Sequence, residues 1–187
     1  MNTVINKWDD IEPPPAPQLH PAEIDPKSSA LLVLDLQDGN CNSERRPRCV
    51  DSLTGIRELI SRARSKSMPV IYSLTSNATA DDIRKEVLPL PGEPIVKSSV
   101  DKFYHTELGD ILQKAGVTTV ILIGTAAEGA ILHTATGAAL RGYNVVVPVD
   151  GFSSSNVYAE QYTAWHLVNA PGTKKRTTLT RMGIISF

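Results

Sequence analysis

The residues best suited to chemistry sit where apolar runs stop. Ala30-Leu31-Leu32-Val33-Leu34 ends at Asp35, followed by Leu36-Gln37. A carboxyl at the tip of such a run is partly desolvated, which raises its pKa and suits it to proton transfer. Asp35 is therefore the first candidate acid or base, although an Asp there can also cap free backbone donors in a turn. A second region, Gly124-Thr125-Ala126-Ala127-Glu128-Gly129-Ala130, follows Val120-Ile121-Leu122-Ile123 and precedes a helical pattern. Small residues let backbone N–H groups come close to a bound anion or developing oxyanion, aided by the helix N-terminus. The spacing is not GxGxxG, and no GxxxxGK[ST] occurs, so nucleotide binding has no motif behind it. Cys41 lies in a polar loop and Cys49 beside Arg46 and Arg48. Converging arginines would lower a thiol pKa, but buried or incidental cysteines are the plainer reading.

Positioning these groups requires alternating elements. Besides the run at 30–34, strand-like stretches occur at 69–74, 120–123 and 144–149, with weaker ones at 95–96 and 177–180. Helical spacing appears between them at Leu53, Ile56, Leu59, Ile60 and Ala63, at Leu108, Ile111, Leu112 and Ala115, and at Ile131, Ala135, Ala138 and Ala139. A last helix is expected at about 157–168, ending near Pro171-Gly172. Gly116 and Gly142 stand where a left-handed residue closes a helix. The alternation implies a mostly parallel α/β sheet with helices on both faces, and in such sheets ligands collect beyond the carboxyl ends of the strands. Residues 1–28 carry six prolines and read as an extended arm, a surface strap or a tail. Residues 29–187 then form one domain.

Composition narrows the functions. Nineteen basic against twenty acidic residues leave a net charge of −1, with no field for gripping nucleic acid or an acidic membrane. The clusters Arg45-Arg46-Pro47-Arg48 and Lys174-Lys175-Arg176 read as solvated surface. Two cysteines are too few for a disulfide scaffold and lack the partners of a structural zinc site, so a reducing, cytoplasmic setting is expected. No apolar run is long enough to span a membrane, and the segment Met1 to Ile11 is too polar for a signal peptide, so a soluble intracellular protein is expected.

Four stretches in order resemble the isochorismatase-like hydrolases: residues 30–37, Val96-Lys97 with Asp101-Lys102-Phe103 and Thr106-Glu107-Leu108, Gly116-Val117 with 120–124, and Thr134-Ala135 through Gly142-Tyr143 to Val149-Asp150. The resemblance covers roughly Ser29 to His166. It implies a three-layer, doubly wound, six-stranded parallel sheet of order 3-2-1-4-5-6, with the site between strands one and four. It also implies Asp35 as acid/base, Lys97 as its cationic neighbour, and Ala130 at the position of the family's usual nucleophilic cysteine. Gln37, Phe103, Thr125, Ala126 and Gly129 would meet the substrate, with Phe103 as an apolar wall, and a cis non-proline peptide is expected in Gly124-Thr125-Ala126. No counterpart of the family's Asp-x-His metal pair is found, so no metal and no cofactor are expected. A small-molecule substrate and a homo-oligomer, dimer or higher, are expected.

Ala130 leaves three readings open. The chain is a hydrolase that needs no thiol, as in isochorismatases that cleave a vinyl ether with the Asp as acid. It is a homologue that binds a small molecule without turnover. Or alanine replaces a natural cysteine of an amide hydrolase. The segment Ser73 to Asn77 lacks the glutamine and arginine expected for isochorismate itself. Of the remaining candidates, Glu128 reads equally as a helix cap or a pocket residue, His133 as packed or hydrogen-bonded, and His166 as structural. Tyr104 and His105 are expected near the pocket.

Overall fold

The computed structural model describes residues 1–187. The strands are β1 (Ala22–Glu23), β2 (Ser29–Leu34), β3 (Val70–Leu74), β4 (Ile95–Lys97), β5 (Thr119–Thr125), β6 (Asn144–Pro148), β7 (Phe152–Ser153), β8 (Thr177–Thr180) and β9 (Ile185–Ser186). The α-helices are α1 (Pro47–Ser65), α2 (Leu108–Lys114), α3 (Leu132–Leu140) and α4 (Val157–Asn169). Each apolar run expected to be a strand is one, and each expected helix forms. Gly116 (φ 67°) and Gly142 (φ 95°) follow α2 and α3 in left-handed conformations, as expected of residues that close a helix.

The main sheet is parallel in the order β4-β3-β2-β5-β6-β8, which is 3-2-1-4-5-6 for its six principal strands. The sequence does not signal β7, whose two residues pair with Gly124 and Thr125 after β6 has parted from β5 beyond Ile121. Every residue of β2 is buried, as a strand covered on both faces requires. The sheet divides the core into two apolar layers. One joins Leu31, Val33 and Tyr72 to the α1 residues Leu53, Ile56, Leu59 and Ile60. The other joins Leu32, Leu34, Val120 and Leu122 to Leu108, Leu112, Ala135 and Ala138 of α2 and α3.

The proline-rich arm is a strap. His20 donates its N–H to the Leu179 carbonyl on edge strand β8 at 2.9 Å, and β1 pairs in parallel with β9 near the C-terminus. A prolyl ring cannot donate to the next copy of a strand, so the arm also blunts this sheet edge. Cys41 and Cys49 are fully buried, as the plainer reading had it, but they are bonded to one another in a disulfide. This removes the cysteine-based reason for expecting a reducing compartment. No helix is long and apolar enough to cross a membrane.

Candidate active site

Strand order reverses between β2 and β5, so connections leave these neighbours in opposite directions and open a crevice at their carboxyl ends. A cleft of about 350 Å³ lies there, lined by Asp35, Asn40 and Arg46 after β2, Thr75 to Asn77 after β3, Ser99 and Val100 after β4, and Thr125, Ala126, Gly129 and Ala130 after β5. A larger groove of about 550 Å³ lies between the arm, α4 and β8. His20 is the sole titratable side chain lining it, so the smaller cleft is the candidate site.

Asp35 directly follows β2 at φ 52° and is 4% exposed. Asp is among the few non-glycine residues that tolerate this region. Its Oδ1 accepts the Ser73 hydroxyl at 2.8 Å, and its Oδ2 meets the Lys102 ammonium at 2.8 Å. Burial pushes the Asp35 carboxyl above its ordinary pKa, outweighing the opposing effects of Lys102, Ser73 and Arg46. The carboxyl is thus inclined to hold a proton, as a general acid must.

The cation is Lys102, not Lys97. Lys97 is the last residue of edge strand β4 and is exposed. Its neighbour Val96 turns into the core, and strand alternation sends the two side chains to opposite faces. Lys102 lies five residues on and is fully buried in the loop before α2. Its Nζ donates to the carbonyls of Ser98 (3.0 Å) and Ser99 (2.6 Å) as well as to Asp35. All three ammonium donors therefore have acceptors. Its own backbone N–H donates to Thr134 Oγ1 at 3.2 Å, tying the loop to α3. In the sequence Lys102 stands just before the apolar Phe103, and nothing local sets it above Lys97.

Ala130 lies on the cleft, 3% exposed, in a π-helical turn at Ala127–Ile131. Ile131 N–H reaches the Ala126 carbonyl and Leu132 N–H the Ala127 carbonyl, the wide spacing that marks a π-turn. Ala127 and Ile131 point into the core while Gly129 and Ala130 line the cleft. Thr125 and Ala126 also line it, joined by a cis peptide, and the Thr125 hydroxyl donates to the Ser153 carbonyl on β7 at 2.9 Å.

Two expected substrate contacts fall elsewhere. Gln37 does not line the cleft; its amide donates to Thr75 Oγ1 (2.8 Å) and accepts the Thr75 N–H (3.2 Å), so it holds a lining residue in place. Phe103 is buried in the α2–α3 core layer, near Tyr143 and under the Arg141 guanidinium 4.5 Å from its ring. Helix α2 follows close behind and draws the ring inward, away from the cleft. His133, Glu128, Tyr104 and His105 are exposed and outside the lining, so none is packed or placed in the pocket. Arg46, read as solvated surface, is instead 6% exposed and lines the cleft.

A doubly wound α/β sheet with a buried carboxyl–ammonium pair at its strand-order reversal defines the class of protein. The isochorismatase domain family matches residues 29–178, and the chain belongs to that family. A streptothricin hydrolase of Streptomyces noursei is 32% identical over 141 residues, 70% of this chain and 56% of that protein. The chain spans about half the length of the streptothricin hydrolases it matches (56% and 51%). A secreted isochorismatase effector of Verticillium dahliae is 24% identical over 149 residues, 73% of this chain and 78% of that protein. An isochorismatase family protein of Burkholderia thailandensis has the same fold, with a TM-score of 0.76 at 22% identity over 89% of this chain and 97% of that one.

Proposed function

We propose that this protein hydrolyses a small molecule with Asp35 as general acid and base, without a covalent thiol intermediate. The observation that carries the reading is a buried carboxyl on the cleft, paired with Lys102 at 2.8 Å and pushed above its ordinary pKa by burial. Named hydrolases among the relatives support the reaction class. Because Ala130 offers no nucleophile, water must attack. Asp35 gives its proton to the substrate, water adds to the electron-poor carbon so formed, and the proton lost by that water returns to the carboxylate; the hemiketal then collapses, its C–O bond to the alcohol breaking as that oxygen takes the hydroxyl proton, to leave a carbonyl product and the free alcohol. A vinyl ether fits this sequence, since protonation of its carbon yields an oxocarbenium-like centre.

Lys102 is a positioning residue in this scheme. It is wholly buried and outside the lining, so it acts through Asp35, fixing the carboxyl and its charge balance. The test compares the native chain, Asp35→Asn and Ala130→Cys on vinyl ethers, nicotinamide and carbamoyl amides. Native hydrolysis that disappears in Asp35→Asn is expected. Activity that arises only in Ala130→Cys would overturn the thiol-free reading in favour of lost or replaced amide-hydrolase chemistry.

A further inference from the structure

Arg46 is a buried cation with no contact ion pair; the carboxyls of Glu128 and Asp35 act on it only from a distance. It is 6% exposed, lines the cleft, and has no carboxylate oxygen within 4.0 Å. Buried guanidinium groups are ordinarily paired, because an uncompensated charge out of water is costly. Nη1 donates to the Asn40 carbonyl at 2.9 Å, whereas Nε is buried with no acceptor and Nη2 makes no hydrogen bond within the protein. Nε and Nη2 form one edge of the guanidinium, the fork that accepts both oxygens of a planar carboxylate. Asp35 and Arg46 are the charged residues lining the cleft, and Asp35 is already balanced by Lys102. Lys102 lies outside the lining, so the positive charge that faces the cleft is that of Arg46.

The chain holds the backbone of this residue firmly, and the Nη1 bond to Asn40 anchors one corner of its guanidinium. Asn42 accepts the backbone N–H of Arg46 at 2.9 Å, Arg46 accepts that of Cys49 at 2.9 Å, and the Cys41–Cys49 disulfide closes the loop. We infer that Arg46 is the specificity residue of the cleft and that the substrate is a small organic carboxylate, seated bidentately on the Nε–Nη2 edge. The inference rests on the catalytic reading for the word substrate, but the binding of a carboxylate does not depend on turnover.

The test is a calorimetric titration of the oxidised protein with benzoate and with its neutral counterpart benzamide. Benzoate is expected to bind at least about tenfold more tightly. Arg46→Gln should bring the two within about twofold. Arg45→Gln, which removes the same charge from an exposed neighbour, should leave the preference in place. Arg46→Lys keeps the charge and loses the fork, and should retain only part of the preference. Native protein that does not distinguish the two ligands, a preference that survives Arg46→Gln, or inorganic phosphate displacing benzoate at equal concentration would overturn the assignment. If Arg46→Gln fails to fold, Arg46→Lys alone decides: an undiminished preference refutes the fork. Loss of hydrolysis in Asp35→Asn with the benzoate preference intact would separate the two sites' roles. Absence of native hydrolysis, with the preference present, would sink the catalytic reading and leave the subsite standing.

Discussion

At the scale of single residues, the Asp35–Lys102 pair concentrates both the activity and the risk to stability. Asp35→Asn should lower hydrolysis by about 10²- to 10⁴-fold in steady-state assays, the usual contribution of a positioned acid. Since the acid acts when protonated, the rate should fall as pH rises through the raised Asp35 pKa. Lys102→Met removes two influences that lower that pKa, its charge and its hydrogen bond, so the fall should move to higher pH. Removing one partner of a buried pair should also cost about 3 to 5 kcal/mol in urea unfolding, whereas Lys97→Ala, on an exposed edge, should stay within about 0.5 kcal/mol. Linkage has a definite sign here. A carboxyl whose folded pKa lies above its unfolded value of about 3.9 costs the native state stability as pH climbs from that unfolded value through the folded one. Asp35→Asn should therefore flatten the decline of Tm with pH over that interval, relative to the native chain.

Elements explain why Asp35 was legible and Lys102 was not. An apolar run that ends in an acid announces both the strand and the desolvated carboxyl, and β2 obeys it residue by residue. Lys102 reaches the site through a loop whose path is set by tertiary ties, Ser98 Oγ to the carbonyls of Asp101 and Tyr104, and Lys102 N–H to Thr134. No local periodicity encodes those bonds. The same holds for Arg46, whose burial depends on a loop fold that charge counting reads as surface, and for β7, whose two residues have no strand signature of their own. By contrast, Ala126, Gly129 and Ala130 follow a long strand directly and were readable from position. The close approach of β2 and β5 is a matter of glycine. Gly124 sits at φ 128°, and a Cβ there would lie 1.9 Å from the Leu34 carbonyl oxygen. Gly124→Ala should therefore destabilise by about 3 kcal/mol or more, measured by denaturant midpoint, and should disturb Asp35, the residue after Leu34.

Over the whole molecule, the parallel sheet covered on both faces followed from the alternation of apolar runs and helical spacing, and its strand order from the family resemblance. The tying down of the termini did not, because β1 and β9 are two residues each and find one another across the full chain length. Deleting residues 2–20 removes most of the arm from the α4–β8 groove, including the His20 bond to Leu179, while leaving β1 and its pairing with β9. We expect the truncated protein to stay folded but to self-associate through the uncovered edge, seen as a rise in sedimentation coefficient with concentration. The disulfide adds a second clasp. For a loop of this length, chain entropy gives it about 2.5 kcal/mol, so replacing both cysteines by serine should lower Tm by several degrees and loosen Arg46 along with it.

Because Cys41 and Cys49 share a bond inside the loop that carries Arg46, the history of a sample becomes part of its identity. Protein made in a thiol-rich host and handled in dithiothreitol would share every residue with protein matured in an oxidising one, yet differ in how the mouth of the cleft is shaped. Assays that ignore which of the two is in the tube would average over two distinct reagents.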